Sequence, residues 1–183
     1  MAEVRDRADR APRTVYDLTV SGLHTFYAVA GSTPVLVHNC NDIVLDGAKF
    51  PGLAHTITEH VTPDRLAAEA LAAQKTAKYG RDTPNSVWVN QDTAQKVVDA
   101  ALKDKASMIT NWLRGNKTEL DWSGFFGPRD SSLGTVYYAN GTAAGRAPTA
   151  AGNGYYIKLV RAPKGPGIPK HPRGYYVQTC YPK

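Results

Sequence analysis

Two histidines, His55 and His60, lie five residues apart in the segment His-Thr-Ile-Thr-Glu-His-Val. A neutral imidazole is well suited to accept a proton near pH 7, so either histidine is a candidate general base. A spacing of five does not bring two imidazoles onto one helical face as three or four would. Because no cysteine or third histidine lies nearby, we expect no bound metal. The alternative for each is a histidine held by core or capping contacts.

Two hydroxyl groups lie close together in the C-terminal segment Gly-Tyr-Tyr-Val-Gln-Thr-Cys-Tyr-Pro. If this segment is a strand, alternation places Thr179 and Tyr181 on one face, about 6–7 Å apart along the backbone. Val177 is predicted to share that face, while Tyr176 and Cys180 point to the other. Neighbouring hydroxyls can donate hydrogen bonds to a phosphoryl oxygen. The alternative is a sheet edge with polar residues facing solvent.

The net charge of +6 lies entirely in residues 41–183, because residues 1–40 carry four arginines and four acidic residues. The last 29 residues carry six lysines or arginines, no acidic residue and five tyrosines. This pattern favours a phosphate backbone with stackable bases, and an ordinary basic surface is the alternative. With 42% hydrophobic and 21% charged residues, the composition excludes wholesale disorder and a fibrous repeat. No apolar run suggests a spanning helix or a signal peptide, so we expect no stable membrane association.

The elements that must position these residues are helices first and strands afterwards. Helices are predicted to begin near His55, to run from Thr62-Pro63 to Gly80, and to extend from about residue 91 to Gly115. Strands are predicted at 118–126, 133–139, 154–161 and 173–181. This order favours an α+β domain with N-terminal helices packed on an antiparallel sheet.

The N-terminal part has a different character and ends in His38-Asn39-Cys40. Three short strands are predicted before it, at 15–20, 24–29 and 34–38. Asn39 can cyclise onto its own carbonyl and cut the chain, His38 can polarise that carbonyl, and Cys40 would become a new N-terminus. Residues 14–40 resemble the C-terminal end of a Hint (intein-like, pretoxin) domain. That resemblance predicts a pretoxin remnant at 1–40 and an effector domain at 41–183.

Residues 47–182 resemble the ribonuclease A-like toxin domain of contact-dependent inhibition proteins. The likeness is carried by His-Thr-Ile-Thr-Glu-His-Val, Ser-Val-Trp-Val-Asn-Gln, Gly-Tyr-Tyr-Ile-Lys-Leu-Val-Arg and the C-terminal Tyr-Val-Gln-Thr-Cys-Tyr-Pro. It implies a ribonuclease A-like fold without disulfides, and active-site roles for His60, Thr179 and Tyr181. In the family an arginine lies in the helix that follows the histidine matched by His60. One register places Lys75 at the position of this arginine, whereas a plain residue count from His60 places Leu71 there.

The remaining site candidates follow from charge and proximity to these motifs. They are His55 as a second acid or base, Arg65 and Lys158 as other cations, and Tyr176 for substrate binding. The function expected is a metal-independent, cofactor-free endoribonuclease that uses the 2′-hydroxyl of RNA to inhibit competitor cells. We expect it to be secreted within a larger toxin, to act in the target cytoplasm, and to be neutralised by an acidic immunity protein. The alternatives are a non-catalytic nucleic-acid-binding module and a toxin acting on another substrate, such as a nucleotide cofactor.

Overall fold

The computed structural model of the chain describes residues 25–30, 33–38, 42–165 and 171–183. The chain divides into two compact units, Met1–Asn39 and Cys40–Lys183. In the first unit, strands β1 (Thr25–Ala30) and β2 (Thr33–His38) form an antiparallel pair. They confirm two of the three strands predicted there, and the strand predicted at 15–20 lies outside the described residues.

The second unit combines helices with antiparallel sheets, as the α+β prediction requires. Its helices are α1 (Ile43–Lys49), α2 (Thr56–His60), α3 (Arg65–Tyr79), α4 (Gln91–Asp104) and α5 (Ala106–Arg114). Its strands are β3 (Asn85–Trp88), β4 (Glu119–Phe125), β5 (Gly134–Tyr137), β6 (Thr149–Ala151), β7 (Gly154–Arg161) and β8 (Tyr175–Pro182). They form two three-stranded sheets, in the orders β3-β5-β6 and β4-β7-β8.

Side-chain caps explain where three of the helices begin. Asp42, Asp64 and Asn90 precede α1, α3 and α4, and each accepts hydrogen bonds from backbone N–H groups of the first turn. Helix α3 ends at Gly80, whose φ of 65° is the left-handed conformation that favours glycine. The end of α3 at Gly80 is the one predicted, whereas its start lies two residues later than predicted, because Asp64 and not Thr62 is the N-cap.

The structure differs from the prediction at several elements. The single helix predicted from residue 91 to Gly115 is two helices, because the backbone leaves helical geometry at Lys105 (φ −100°, ψ 18°). Helix α1 and the short strands β3 and β6 were not predicted. Each has seven residues or fewer, which is too short for hydrophobic periodicity to give a clear signal.

The main core lies between the helix pair α4–α5 and the sheet β4-β7-β8. Its residues include Ala94, Val97, Val98, Ala101, Ile109 and Trp112 from the helices, and Ile157, Leu159, Val177 and Cys180 from the sheet. The apolar stripe predicted for α4 and α5 is therefore core, as expected. This packing fixes β7 and β8, and the other face of β8 carries part of the candidate site.

A β-bulge in β8 decides which residues face the core. Lys158 pairs with Thr179, but Leu159 pairs with Val177, so Gln178 is an extra residue in β8. Val177 and Cys180 consequently both face the core. The predicted alternation, which placed Val177 on the face of Thr179, is wrong because the bulge shifts the alternation by one residue.

The outer edge of β8 pairs with no other described strand, and three other parts of the fold bond to its backbone instead. Helix α1, the start of α2 and strand β3 supply the partners. The contacts are Val177 N to Asp46 Oδ2 (2.8 Å), His55 N to Gln178 O (2.8 Å), Cys180 N to Thr56 Oγ1 (2.9 Å), Trp88 Nε1 to Cys180 O (2.9 Å) and Ser86 Oγ to Pro182 O (2.6 Å). These bonds hold the bulge in place beside α2.

Candidate active site

A cavity of about 680 Å³ lies where α2, α3, β3 and the end of β8 meet. Five of the residues singled out from the sequence line it: His55, His60, Lys75, Thr179 and Tyr181. The folded chain therefore brings the N-terminal histidine motif and the C-terminal hydroxyl pair to one place.

His60 is held as a neutral imidazole at the back of this cavity. Its side chain is 3% exposed, and Nδ1 donates a hydrogen bond to the Ser86 carbonyl at 2.7 Å. Burial, followed by the nearby positive charge of Lys75, lowers the pKa of His60 to about 3. At neutral pH the ring is therefore uncharged, and Nε2 is the nitrogen free to accept a proton.

Lys75 is fixed on the cavity wall by two partners. Its Nζ lies 3.0 Å from Glu59 Oε2 and 2.6 Å from Asn85 Oδ1. Asn85 in turn donates from Nδ2 to the Glu59 carbonyl at 2.9 Å, which ties β3 to the end of α2. Glu59 Oε2 also lies 4.0 Å from His60 Nε2. The ammonium group is thus positioned close to the candidate base.

The other two candidate cations do not line the cavity. Arg65 Nε bonds to Glu69 Oε1 at 3.1 Å, and Lys158 Nζ lies 2.7 Å from Glu119 Oε2. Leu71 does line it, one helical turn before Lys75. Of the cations proposed from the sequence for the role of the family arginine, Lys75 has the suitable position.

The Thr179 and Tyr181 side chains face the cavity opposite the helices. Thr179 is 7% exposed, and its Oγ1 has no hydrogen-bond partner among the described residues. The Tyr181 ring lies with its centroid 5.0 Å from that of His60. Burial raises the pKa of Tyr181, which keeps its phenol protonated at neutral pH. Both hydroxyls can therefore act as hydrogen-bond donors.

His55 sits at the start of α2 with its ring centroid 6.4 Å from that of His60. Its Nδ1 donates a hydrogen bond to the Leu53 carbonyl at 3.1 Å. Nε2 is therefore the nitrogen of His55 that is left to donate or accept another proton. The predicted helix start near His55 is confirmed, since α2 begins at Thr56.

Tyr176 requires a correction. Its side chain is 3% exposed and stacks on Phe50, with ring centroids 4.3 Å apart and planes 20° apart. Tyr176 does not line the cavity, and its ring is too buried to offer an open face to a stacked base in this conformation, so the structure gives no support to the prediction that it binds substrate. Cys180 is a free thiol with no exposed surface, and burial raises its pKa well above the ordinary value.

The predicted processing junction lies at the margin of what the structure describes. His38 is the last residue of β2, while Asn39 and Cys40 lie outside the described residues. Within the described ranges, no group of three or more His, Cys, Asp or Glu side chains is arranged to hold a metal ion. In the same part of the chain, no helix has the length and apolar character needed to cross a membrane.

Sequence reasoning missed several residues that shape the cavity, chiefly Glu59, Asn85 and Ser86. Glu59 lies inside the histidine motif, and its place directly before His60 was a usable signal. Asn85 and Ser86 are polar residues at the start of an otherwise apolar strand, where burial obliges them to find hydrogen-bond partners. Their burial became apparent only in the structure, because β3 is too short to be predicted from the sequence.

Comparison with known proteins gives a matching family and a similar solved structure. Residues 54–182 match the family model described as the bacterial CdiA-CT RNAse A domain. The chain is also similar to a solved structure, the crystal structure of a CdiA-CT/CdiI complex from Y. kristensenii 33638, with 21% sequence identity and a TM-score of 0.50. That similarity covers 71% of this chain and 99% of the other, and it supports the α+β fold. No curated protein sequence matches the chain.

Proposed function

The chain belongs to the bacterial CdiA-CT RNase A domain family, and on this premise we propose that it is a toxin domain that cuts RNA internally without a metal ion. The observation that carries the proposal is the single cavity lined by His60, Lys75, Thr179 and Tyr181. A neutral base, a cation and two hydroxyl donors are suited to moving a proton and stabilising charge on a phosphoryl group.

In the proposed reaction the substrate supplies its own nucleophile, the ribose 2′-hydroxyl, which DNA lacks. His60 Nε2 accepts the hydroxyl proton as the 2′-oxygen forms a bond to phosphorus. The bond between phosphorus and the 5′-oxygen of the next nucleotide breaks, and that oxygen takes up a proton. The products are a 2′,3′-cyclic phosphate and a 5′-hydroxyl end.

Charge that develops on the phosphoryl oxygens is stabilised by Lys75 and by the hydroxyls of Thr179 and Tyr181. Because Thr179 Oγ1 has no hydrogen-bond partner among the described residues, it can donate to the substrate without breaking an existing bond. Glu59 holds Lys75 in position through the 3.0 Å ion pair.

The proton for the leaving oxygen comes from His55 or from Tyr181, which both line the cavity. A nucleoside 3′-(4-nitrophenyl phosphate) distinguishes them, because nitrophenolate departs without being protonated. The variant that removes the acid, His55→Ala or Tyr181→Phe, is expected to lose activity on RNA and to regain most of it on this substrate. A residue whose variant is equally impaired on both substrates is not the acid.

The proposed function is tested by incubating the purified chain with mixed-sequence RNA in EDTA and identifying the ends produced. We expect cleavage that leaves cyclic phosphates, and a loss of about 10²–10⁴-fold for a folded His60→Asn variant. Asparagine at this position keeps a donor for the Ser86 carbonyl but cannot act as the base. Cleavage abolished by EDTA and restored by a metal ion would overturn the metal-free mechanism. RNA left intact by the folded protein would favour a binding module or a different substrate.

The biological setting is proposed from the family and from the charge of the chain. We place the domain at the end of a larger secreted toxin, with residues 1–40 as a pretoxin remnant and the target cytoplasm as the site of action. The structural relative from Y. kristensenii 33638 is a complex of CdiA-CT with CdiI. By analogy, a cognate immunity protein binds this toxin, and a net charge of +6 favours an acidic partner.

A further inference from the structure

The cavity extends beyond the proposed catalytic groups to the C-terminal end of α3. Three side chains of this helix line that part, namely Gln74, Lys78 and Tyr79. None of them has a role in the reaction proposed above. We call this group the α3 subsite.

Tyr79 is an exposed aromatic residue inside a cavity. Its side chain is 55% exposed, whereas Tyr181 in the same cavity is largely covered. The Tyr79 phenol also makes the smallest contribution to the raised pKa of Tyr181, after burial, Cys180 and Asp121. An exposed aromatic ring therefore lines the same cavity as the hydroxyl that is proposed to contact the scissile phosphate.

The polar groups around this ring are also available to a ligand. The Gln74 side chain is exposed and makes no hydrogen bond within the described part of the chain. Lys78 is exposed too, and its Nζ lies 5.3 Å from the centre of the Tyr79 ring. The cavity lining carries three lysines, Lys75, Lys78 and Lys183, and one carboxylate, Glu59, so it favours an anionic ligand.

We propose that the α3 subsite binds a nucleobase next to the scissile phosphate, with the base stacked on Tyr79. Gln74 presents both a donor and an acceptor to the edge of that base, and Lys78 meets the adjoining phosphate. Stacking on an aromatic ring accepts every base, while an amide discriminates among them. The α3 subsite thus adds binding strength through Tyr79 and base preference through Gln74. This inference rests on the proposed function, since it places RNA in the same cavity.

The test uses DNA oligonucleotides that contain one ribonucleotide, so that the cleaved bond is known. Three forms are compared: the intact oligonucleotide, one lacking the base of the ribonucleotide, and one lacking the base of the nucleotide on its 3′ side. For the wild-type chain, we expect kcat/KM to fall roughly 5- to 150-fold on one of the two forms lacking a base, the range for loss of one stacked base. On the intact substrate, kcat/KM of Tyr79→Ala is expected to fall by the same factor. On the form whose missing base impairs the wild-type chain, Tyr79→Ala is expected to be no slower than wild type.

Two further variants serve as controls. Tyr79→Phe keeps the ring and is expected to lose much less than Tyr79→Ala. Phe125→Ala removes another exposed aromatic residue, 82% exposed and not part of the cavity lining, and is expected to behave as wild type. A Tyr79→Ala variant that is unimpaired on the intact substrate would overturn the inference. A Tyr79→Ala variant that is impaired equally on all three substrates would also overturn it, because that pattern indicates a structural role for Tyr79.

Binding measurements separate this inference from the proposed function. In a second series the single ribonucleotide carries a 2′-O-methyl group, so no cleavage can occur, and Kd is measured by fluorescence anisotropy. If the wild-type chain cleaves no RNA, the proposed function fails. The α3 subsite then stands if Tyr79→Ala and the loss of one base each raise Kd by the same factor, and if the two changes together raise Kd no more than either one alone. It falls if Kd is unchanged by Tyr79→Ala or if the wild-type chain binds no oligonucleotide.

Discussion

At the scale of single residues, the cavity contains groups that are costly for folding and useful for phosphate chemistry. A buried hydroxyl without a hydrogen-bond partner is uncommon in folded proteins, and within the described part of the chain Thr179 Oγ1 has none. His60 is a buried histidine whose pKa of about 3 reflects the cost of charging it in this position. Residues that are unfavourable for stability and line one cavity are candidates for function.

The Thr179 hydroxyl leads to a prediction in which activity and stability change differently. Thr179→Val keeps the shape of the side chain and removes only the hydroxyl group. Because that group makes no hydrogen bond in the described chain, we expect the free energy of unfolding to stay the same or to rise, while kcat/KM on RNA falls. Urea denaturation and RNA cleavage of the same preparation provide the two measurements. A large loss of stability would show that the hydroxyl has a partner in the free protein.

A second prediction concerns the dependence of stability on pH. The pKa of His60 is about 3 in the folded chain, against 6.5 for an unperturbed histidine. Above pH 6.5 both states are neutral at this position. As pH falls from 6.5 towards 3, the unfolded chain binds a proton that the folded chain does not, so His60 destabilises the fold by at most about 1.4 kcal/mol per pH unit.

This effect is measured by urea denaturation of the wild-type chain and of His60→Asn at pH 7, 6 and 5. The wild-type free energy of unfolding is expected to fall more steeply than that of the variant. Parallel pH profiles would show that His60 titrates normally in the folded chain.

At the scale of elements, strand β8 connects the core to the site. Its bulge at Gln178 turns Cys180 into the core and Thr179 and Tyr181 towards the cavity. Side chains from α1, α2 and β3 replace a neighbouring strand along its outer edge. The most buried of these side chains is Asp46, which is 1% exposed and also bonds to His171 and Arg173.

The Asp46 cluster provides a prediction about stability with a matched control. Asp46→Asn removes the charge opposite Arg173, whose side chain is 9% exposed, and weakens the bonds to His171 and the Val177 N–H. Breaking a buried pair in this way costs about 3–5 kcal/mol. Asp82→Asn breaks the exposed pair with Arg146 and is expected to change the free energy of unfolding very little, because solvent screens both charges. Similar losses for both variants, measured by urea denaturation, would contradict the role given to the Asp46 cluster.

At the scale of the whole molecule, the net charge and the core of the described residues both belong to the second unit. Residues 41–183 carry all of the net charge of +6, and the principal core cluster draws its residues from Ile43 to Cys180. A segment with its own core is expected to fold alone. The N-terminal hairpin therefore has no expected part in RNA cleavage.

The corresponding prediction is that residues 41–183, expressed alone, melt cooperatively and cleave RNA with the kcat/KM of the full chain. Asn39→Ala in the full chain serves as a companion variant, and it should leave cleavage of RNA unchanged while preventing any cut after residue 39. Thermal melting and RNA turnover are the measurements. An unfolded or inactive fragment would show that residues 1–40 are an integral part of the domain.

The sequence alone determined the class of the domain, the family and most of the longer elements. Strand β7 begins and ends at the residues predicted, and α3 ends at the predicted Gly80. These features are local, because periodicity, caps and glycine conformation depend on residues a few positions apart. The motifs around His60 and Thr179 could be recognised for the same reason, and both residues line the cavity.

Only the tertiary structure decided how those local pieces meet. The bulge at Gln178 depends on bonds from α1 and α2, and the burial of Tyr176 depends on Phe50, which lies far away in sequence. The choice of Lys75 over Arg65 likewise depends on which face of α3 packs beside Glu59. Such contacts join distant parts of the chain, and no local pattern records them, because each is selected by the packing of the whole domain.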